Sequence, residues 1–279
     1  MAVLLAVEVF LAGAMLWSMR GHNFSVRAAG MQRIEAGAHA FAPIYAGQAP
    51  HVIVDDPDSA VTISNSSDGS VRVTDDSHMY GWFFGNHSRP PLSVRAIPGG
   101  VSIERPGDGV HFAMLGFDHE HLTIAIPPQS VLDVRRCSGA RISGMRGALR
   151  VNSVDGRITL EDVRAVSLFV RSADGSLHMN HVSAPSIDAA TQDGSIHAYG
   201  LQVGGGTLAT QDGSITVAFQ DAAVNVTAHT ADGSVHYNGQ RVDSNDDASN
   251  ANFTVGSGGG QLALTTQDGS INITTNGAQ

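Results

Sequence analysis

The chain contains no lysine, a single cysteine and few glutamates, and aromatic residues make up only 6% of it. Each shortage excludes something. One cysteine, Cys137, cannot form an intramolecular disulfide, and without Cys-x-x-Cys or Cys/His spacing there is no zinc-site signature. Scarce glutamate and missing lysine remove common helix formers, which weighs against a helical bundle. Catalytic signatures are missing too: there is no Gly-x-Ser-x-Gly elbow, phosphate-binding loop, dinucleotide fingerprint or zinc-hydrolase helix. Serines beside Asp-Gly belong to turns, with no base tied to them by spacing. The chain therefore reads as non-enzymatic and as requiring no cofactor.

What is present favours repetitive β-structure. Of 279 residues, 42% are apolar, enough for a real core, and 32 are glycine, which fits a turn-rich chain. The net charge of −10 is unevenly placed, since 15 of the 16 arginines lie between Arg20 and Arg171. Beyond Arg171 stand ten aspartates, no glutamate and one arginine, Arg241, so that half carries 1 − 10 = −9. Such a surface argues against nucleic acid or anionic lipid as its partner.

Residues 1–20 read as a membrane anchor. Ala2 to Met19 is an 18-residue apolar run interrupted only by Glu8 and Ser18, near the lower limit for a spanning helix. No basic segment precedes it and no small-x-small site follows it, so an uncleaved anchor is expected, with the remainder displayed outside the cytoplasm. Arg20, Arg27 and Arg33 follow the span, the opposite of the positive-inside pattern for that orientation. A start lying further upstream would reconcile the two.

The dominant signal is a repeat. Asp-Gly pairs begin at Asp155, Asp174, Asp193, Asp212 and Asp232, spaced by 19, 19, 19 and 20 residues, with another at Asp268. Two residues after each glycine stand Ile158, Leu177, Ile196, Ile215, Val235 and Ile271; two further on come Leu160, Met179, Ala198, Val217, Tyr237 and Ile273. Four residues before each aspartate stand Val151, Val170, Ala189, Leu208, Ala228 and Leu264, and two before it a serine or threonine. Period-two alternation on both sides of a glycine turn means short strands with one buried face. A unit this short cannot bury a core alone, so copies must stack into a β-solenoid with rungs about 4.8 Å apart. Val163, Val182 and Leu201 suggest a short third side.

The turns themselves, Asp155-Gly156, Asp174-Gly175, Asp193-Gly194, Asp212-Gly213, Asp232-Gly233 and Asp268-Gly269, are expected to use glycine for a positive φ and aspartate to accept from the N–H groups ahead of it. Residues 135–279 form the regular solenoid, with 243–260 a polar, Gly-rich inserted loop. Residues 21–134 are a β-rich region packed on its first rung. There, Asp68-Gly69-Ser70 reads as a hairpin turn within Val61–Val73, Leu122–Ile126 as a strand ending at Pro127-Pro128, and Trp82, Phe83 and Phe84, between Gly81 and Gly85, as a core cap in preference to an exposed ligand-contacting tip.

The run Leu122-Thr-Ile-Ala-Ile-Pro-Pro, then Ser138-Gly139, Val154-Asp155-Gly156-Arg157-Ile158 and the successive Asp-Gly-Ser rungs resemble the bacterial adhesin-like DUF4097 family across residues 45–279. The resemblance implies a β-solenoid at the bacterial envelope, with no catalytic residues to carry over. The expected role is adhesion or scaffolding on a surface, protein or glycan partner, with envelope-stress sensing as the alternative. A polysaccharide-active β-helix is disfavoured, because the regular rungs after Arg171 carry no base or cation for lyase chemistry.

Weak metal candidates are His119 and His121 in Asp118-His-Glu-His, and His178 and His197 on neighbouring rungs. The aspartate ladder could hold a divalent cation, but the nonapeptide of calcium-binding β-rolls is absent, and turn formation explains it. After Asp268 there is no charge or proline to blunt the last strand. Two outcomes are therefore open: the C-terminal rung self-associates, or the 243–260 insertion folds over its edge.

Overall fold

The computed structural model describes residues 31–36, 38–84, 90–106, 113–242 and 249–275. The proposed anchor, Ala2–Met19, lies outside them, and no helix among the described residues is long and apolar enough to cross a membrane. Every regular element described is a strand. Two long sheets, of 11 and 13 strands, enclose one continuous apolar core.

The sheets are joined rung by rung. Along the stacking axis, rung 1 is Gly100–Glu104 with His121–Ile126, rung 2 His51–Asp55 with Ala60–Asn65, and rung 3 Val131–Arg136 with Gly139–Ser143. Rung 4 is Leu149–Ser153 with Ile158–Glu161, rung 5 Leu168–Ser172 with Leu177–Asn180, rung 6 Ile187–Thr191 with Ile196–Val203, and rung 7 Gly206–Ala209 with Ile215–Phe219. Rung 8 is Gly260–Asp268 with Ile271–Thr275, and rung 9 Val224–Asp232 with Val235–Tyr237. Pairing between rungs is parallel throughout. The predicted columns face inward: Ile158, Leu177, Ile196, Ile215, Ile271 and Val235 are each at most 1% exposed. Each such aliphatic side chain contributes about 1.5–3 kcal/mol, so the ladder as a whole holds the rungs together.

Chain order and spatial order disagree at both ends. The last segment does not form the last rung: Ile271–Thr275 lies between Ile215–Phe219 and Val235–Tyr237. The C-terminal strand is thus an interior strand, which removes the open edge on which end-to-end pairing was expected. At the other end, His121–Ile126 sits between Ala60–Asn65 and Arg72–Asp75. The stretch read as a Val61–Val73 hairpin is therefore split by a strand from elsewhere, and residues 51–126 supply rungs 1 and 2 of the same two sheets.

Each sheet end is closed by an antiparallel strand: Ser93–Ile97 and Arg72–Asp75 at rung 1, Ser249–Val255 and Gln240–Arg241 at rung 9. Antiparallel closure consumes the edge donors that a parallel rung would leave open. Part of the predicted 243–260 loop is thus an edge strand, with Ala251 and Val255 buried and the Phe253 ring 4.8 Å from that of Tyr237; residues 243–248 lie outside the described set. Gly256 to Gly260 then carries the chain across the start of rung 9 to fill rung 8. A Cβ on Gly260 would stand 1.2 Å from the Gly204 carbonyl oxygen, so the crossing admits only backbone.

A third, antiparallel sheet joins Met31–Ala36, His78–Phe84 and Ala113–His119. Trp82, Phe83 and Phe84 lie on its central strand, and the positions of their side chains, read as a core cap, lie outside what is described.

Candidate binding groove and surface ladders

Glycine at the repeat turn answers to a different constraint from the expected one. Gly156, Gly175, Gly194, Gly213 and Gly233 do not have positive φ; of the six, only Gly269 does, at 148°. Instead, a Cβ on Gly175 would lie 2.0 Å from the Gly156 carbonyl oxygen, one on Gly194 2.7 Å from that of Gly175, and one on Gly213 2.4 Å from that of Gly194. Glycine is required because successive turns stack backbone on backbone. The hydroxyl column completes the contact: Thr191, Thr210, Thr266 and Thr230 donate to the carbonyls of Gly175, Gly194, Gly213 and Gly269 at 2.7–2.8 Å. The aspartates stand outside in an exposed row, with backbone bridges from Asp193 to Asp212 and from Asp212 to Asp268. The aspartate-capped turn of the sequence reading occurs at Asp68, whose Oδ1 accepts from the Ser70 backbone N–H and hydroxyl. Those bonds, with Arg72, hold the Asp68 carboxyl down to about 2.

Histidines are brought together in two pairs. His178 and His197 are register partners with ring centroids 4.9 Å apart. Burial, then the His197 and Arg157 charges, lowers the His178 pKa and favours its neutral form. His236 does not join them, because Thr216 and Asn272 intervene. His119 and His121 end and begin two different strands, with rings stacked at 6.0 Å, and His121 Nε2 engages the Thr62 hydroxyl at 2.9 Å. Among the described residues no group of three or more His, Cys, Asp or Glu could hold a metal ion.

A further constellation, which no sequence motif marks, lies on the third side. Where each second-sheet strand ends, the chain turns onto the predicted third side, whose inward column runs Met145, Val163, Val182, Leu201 and Phe219, all at most 1% exposed. The corner needs a left-handed residue: Gly144, Asp162, His181 and Gly200 have φ of 71°, 51°, 52° and 66°. Backbone bonds from Arg164, Ser183, Gln202 and Gln220 to Met145, Val163, Val182 and Leu201 then set an outward row. Between corner and row lie adjoining hollows of about 330 and 340 Å³ that share Asp162, Arg164 and His181. Asn65 closes one end by donating to the Gly144 carbonyl at 3.0 Å. The row was illegible because its members differ in type from rung to rung; only the buried Val163, Val182 and Leu201 repeat visibly.

On the first sheet, Phe169 is clamped between two guanidiniums, Arg150 at 4.2 Å and Arg171 at 4.3 Å from the ring centroid. Arg171 also pairs with Asp188 at 2.7 Å, so this stack is satisfied internally on one side. Cys137 is fully buried, and that burial pushes its thiol up to about 11, as befits a core residue.

Comparison with solved structures finds a putative cell adhesion protein from Clostridium sporogenes, at 11% identity and TM-score 0.36, covering 88% of this chain and 100% of the other. A putative adhesin from Bacteroides fragilis matches at 11% identity and TM-score 0.45, covering 88% and 97%. One from Parabacteroides merdae matches at 10% and 0.34, covering 86% and 96%. No curated protein matches the sequence. The model of the Toastrack DUF4097 family matches residues 65–274, most of the chain and every one of the six Asp-Gly turns, and the chain belongs to that family.

Proposed function

We propose that the chain is a non-enzymatic envelope protein, tethered by Ala2–Met19, that presents its solenoid faces for adhesion or scaffolding outside the cytoplasm. The observation that carries this reading is the groove on the third side, a row of polar side chains repeated at rung spacing on a rigid scaffold. Recurring donors along one axis suit an extended partner. The corner side chains beside the row, Asp162 and His181, are 80% and 71% accessible, so a partner can reach the groove from solvent. The acidic remainder of the surface keeps the domain off nucleic acid and anionic lipid.

Cells expressing the full chain should adhere to a host or matrix surface better than cells lacking it, and protease added to intact cells or spheroplasts should cleave the solenoid. Complete protection, or glycan cleavage abolished by one point substitution, would refute the reading.

A further inference from the structure

We propose that the third-side groove binds a linear polysaccharide bearing carboxylates, with Arg146 and Arg164 on the acid groups and Ser183, Gln202 and Gln220 on the hydroxyls. This rests on the reading of the domain as a binding surface and names the partner's chemistry.

Two arginines without a carboxylate partner line the groove side by side. Most arginines among the described residues are committed to carboxylates: Arg136 to Asp55 at 2.6 Å, Arg141 to Glu161 at 2.8 Å, Arg171 to Asp188 at 2.7 Å, and buried Arg105 to Asp56 and Asp75. Arg146, Arg150, Arg157 and Arg164 stand in no ion pair among the described residues; Arg150 stacks on Phe169 and Arg157 lies outside the hollows, whereas Arg146 and Arg164, both exposed, line one of them together, and the carboxylate there, Asp162, lies 3.7 Å from His181. Arg146 and Arg164 occupy neighbouring rungs, since the Arg164 N–H donates to the carbonyl of Met145, the residue before Arg146. Two arginines on rungs whose backbones lie about 4.8 Å apart, both lining one hollow, suit planar acids, which a guanidinium can bind bidentately.

Geometry along the axis extends the site. Beyond Arg164 the same row continues with a hydroxyl and two carboxamides, groups that both donate and accept. They match sugar hydroxyls and not a second run of acids. Lining this polar offers little to an apolar peptide side chain. The ligand is therefore a polymer laid across the rungs, parallel to the stacking axis, meeting a new pair of side chains at each rung.

Oligogalacturonate is the probe, with its neutral methyl ester as control, titrated calorimetrically into the full chain in detergent at low ionic strength. The acid form should bind and the ester should not. R146A and R164A should each weaken binding about tenfold, the expected effect of losing a hydrogen bond to a charged group, while R157A, outside the groove, leaves it unchanged. Far-ultraviolet dichroism and Tm establish that the variants fold, as expected for exposed sites. Equal binding of the ester, equal binding by the double variant, or no binding of oligogalacturonate, alginate or hyaluronate overturns the inference. Cell adhesion separates the two levels: adhesion that survives R146A/R164A removes the groove and keeps the adhesive role, whereas a wild-type chain that confers no adhesion removes the role itself.

Discussion

Thr266 donates a 2.8 Å hydrogen bond to the carbonyl oxygen of Gly213, a residue 53 positions earlier. It is the same bond that Thr210 makes to Gly194 across 16 positions. The C-terminal segment therefore takes the place that the next repeat would occupy, and rung 9 is displaced outward by one layer. Amide exchange should report this: Ile271 and Ile273 should exchange as slowly as Ile215 and Val217, and more slowly than Gln240 and Arg241 at the edge. Fast exchange at Ile271–Ile273 would place that strand back at an end.

Stacked turns leave no room for a side chain. Gly213→Val is expected to lower stability by about 1–3 kcal/mol or more, because the nearest atoms are backbone and cannot rotate away. Thermal unfolding measures it, and an unchanged Tm contradicts the stacking role. Gly213→Ala should behave likewise, which separates crowding from the bulk of valine.

At the N-terminal end, Arg105 is 2% exposed and lies 3.4 Å from Asp56, which is fully buried, while its other arm reaches Asp75. Arg105→Leu takes the guanidinium from a buried carboxylate and should cost about 3–5 kcal/mol in urea unfolding. Pairing it with Asp56→Leu should recover part of the loss. A cost below 1 kcal/mol would show that this ion pair behaves as a surface one.

Cys137 links packing to pH. Its folded thiol titrates at about 11 against an ordinary 9.0, chiefly through burial and against a hydrogen bond from Ser153. A pKa raised on folding means that the thiol's contribution is complete below pH 9.0 and is lost as pH rises through about 11. Cys137→Ala should therefore flatten the alkaline limb of the stability curve between those values. Native protein at neutral pH should resist thiol-specific labelling, and rapid labelling would show the site to be open.

Acid should act at Asp68. Its carboxyl is lowered to about 2 by Ser70 and Arg72, so its support for the turn is present above the ordinary 3.8 and disappears as pH falls through about 2. Asp68→Asn should make the local turn less sensitive to acid, as followed by the Ser70 amide resonance; an unaltered titration of that amide would exclude the cap.

The sequence by itself determined the rung. A 19-residue period, two apolar columns after each Asp-Gly and one before it specify strand length, inward face and turn position, because side-chain alternation and glycine placement are local constraints. The third side was visible in Val163, Val182 and Leu201 for the same reason. Only the tertiary structure decided the order in which rungs stack. Asp232 and Asp268 carry equivalent repeats, and nothing in either one states which sits beside Asp212; Gly256–Gly260 settles it by letting the chain cross over rung 9. The glycine spine was misread at the level of cause, since a stacking contact between residues 19 apart looks, in one rung, like a φ requirement. The groove is likewise tertiary. Arg146, Arg164, Ser183, Gln202 and Gln220 share no residue type, and they become one row only because parallel pairing sets each of them above the last.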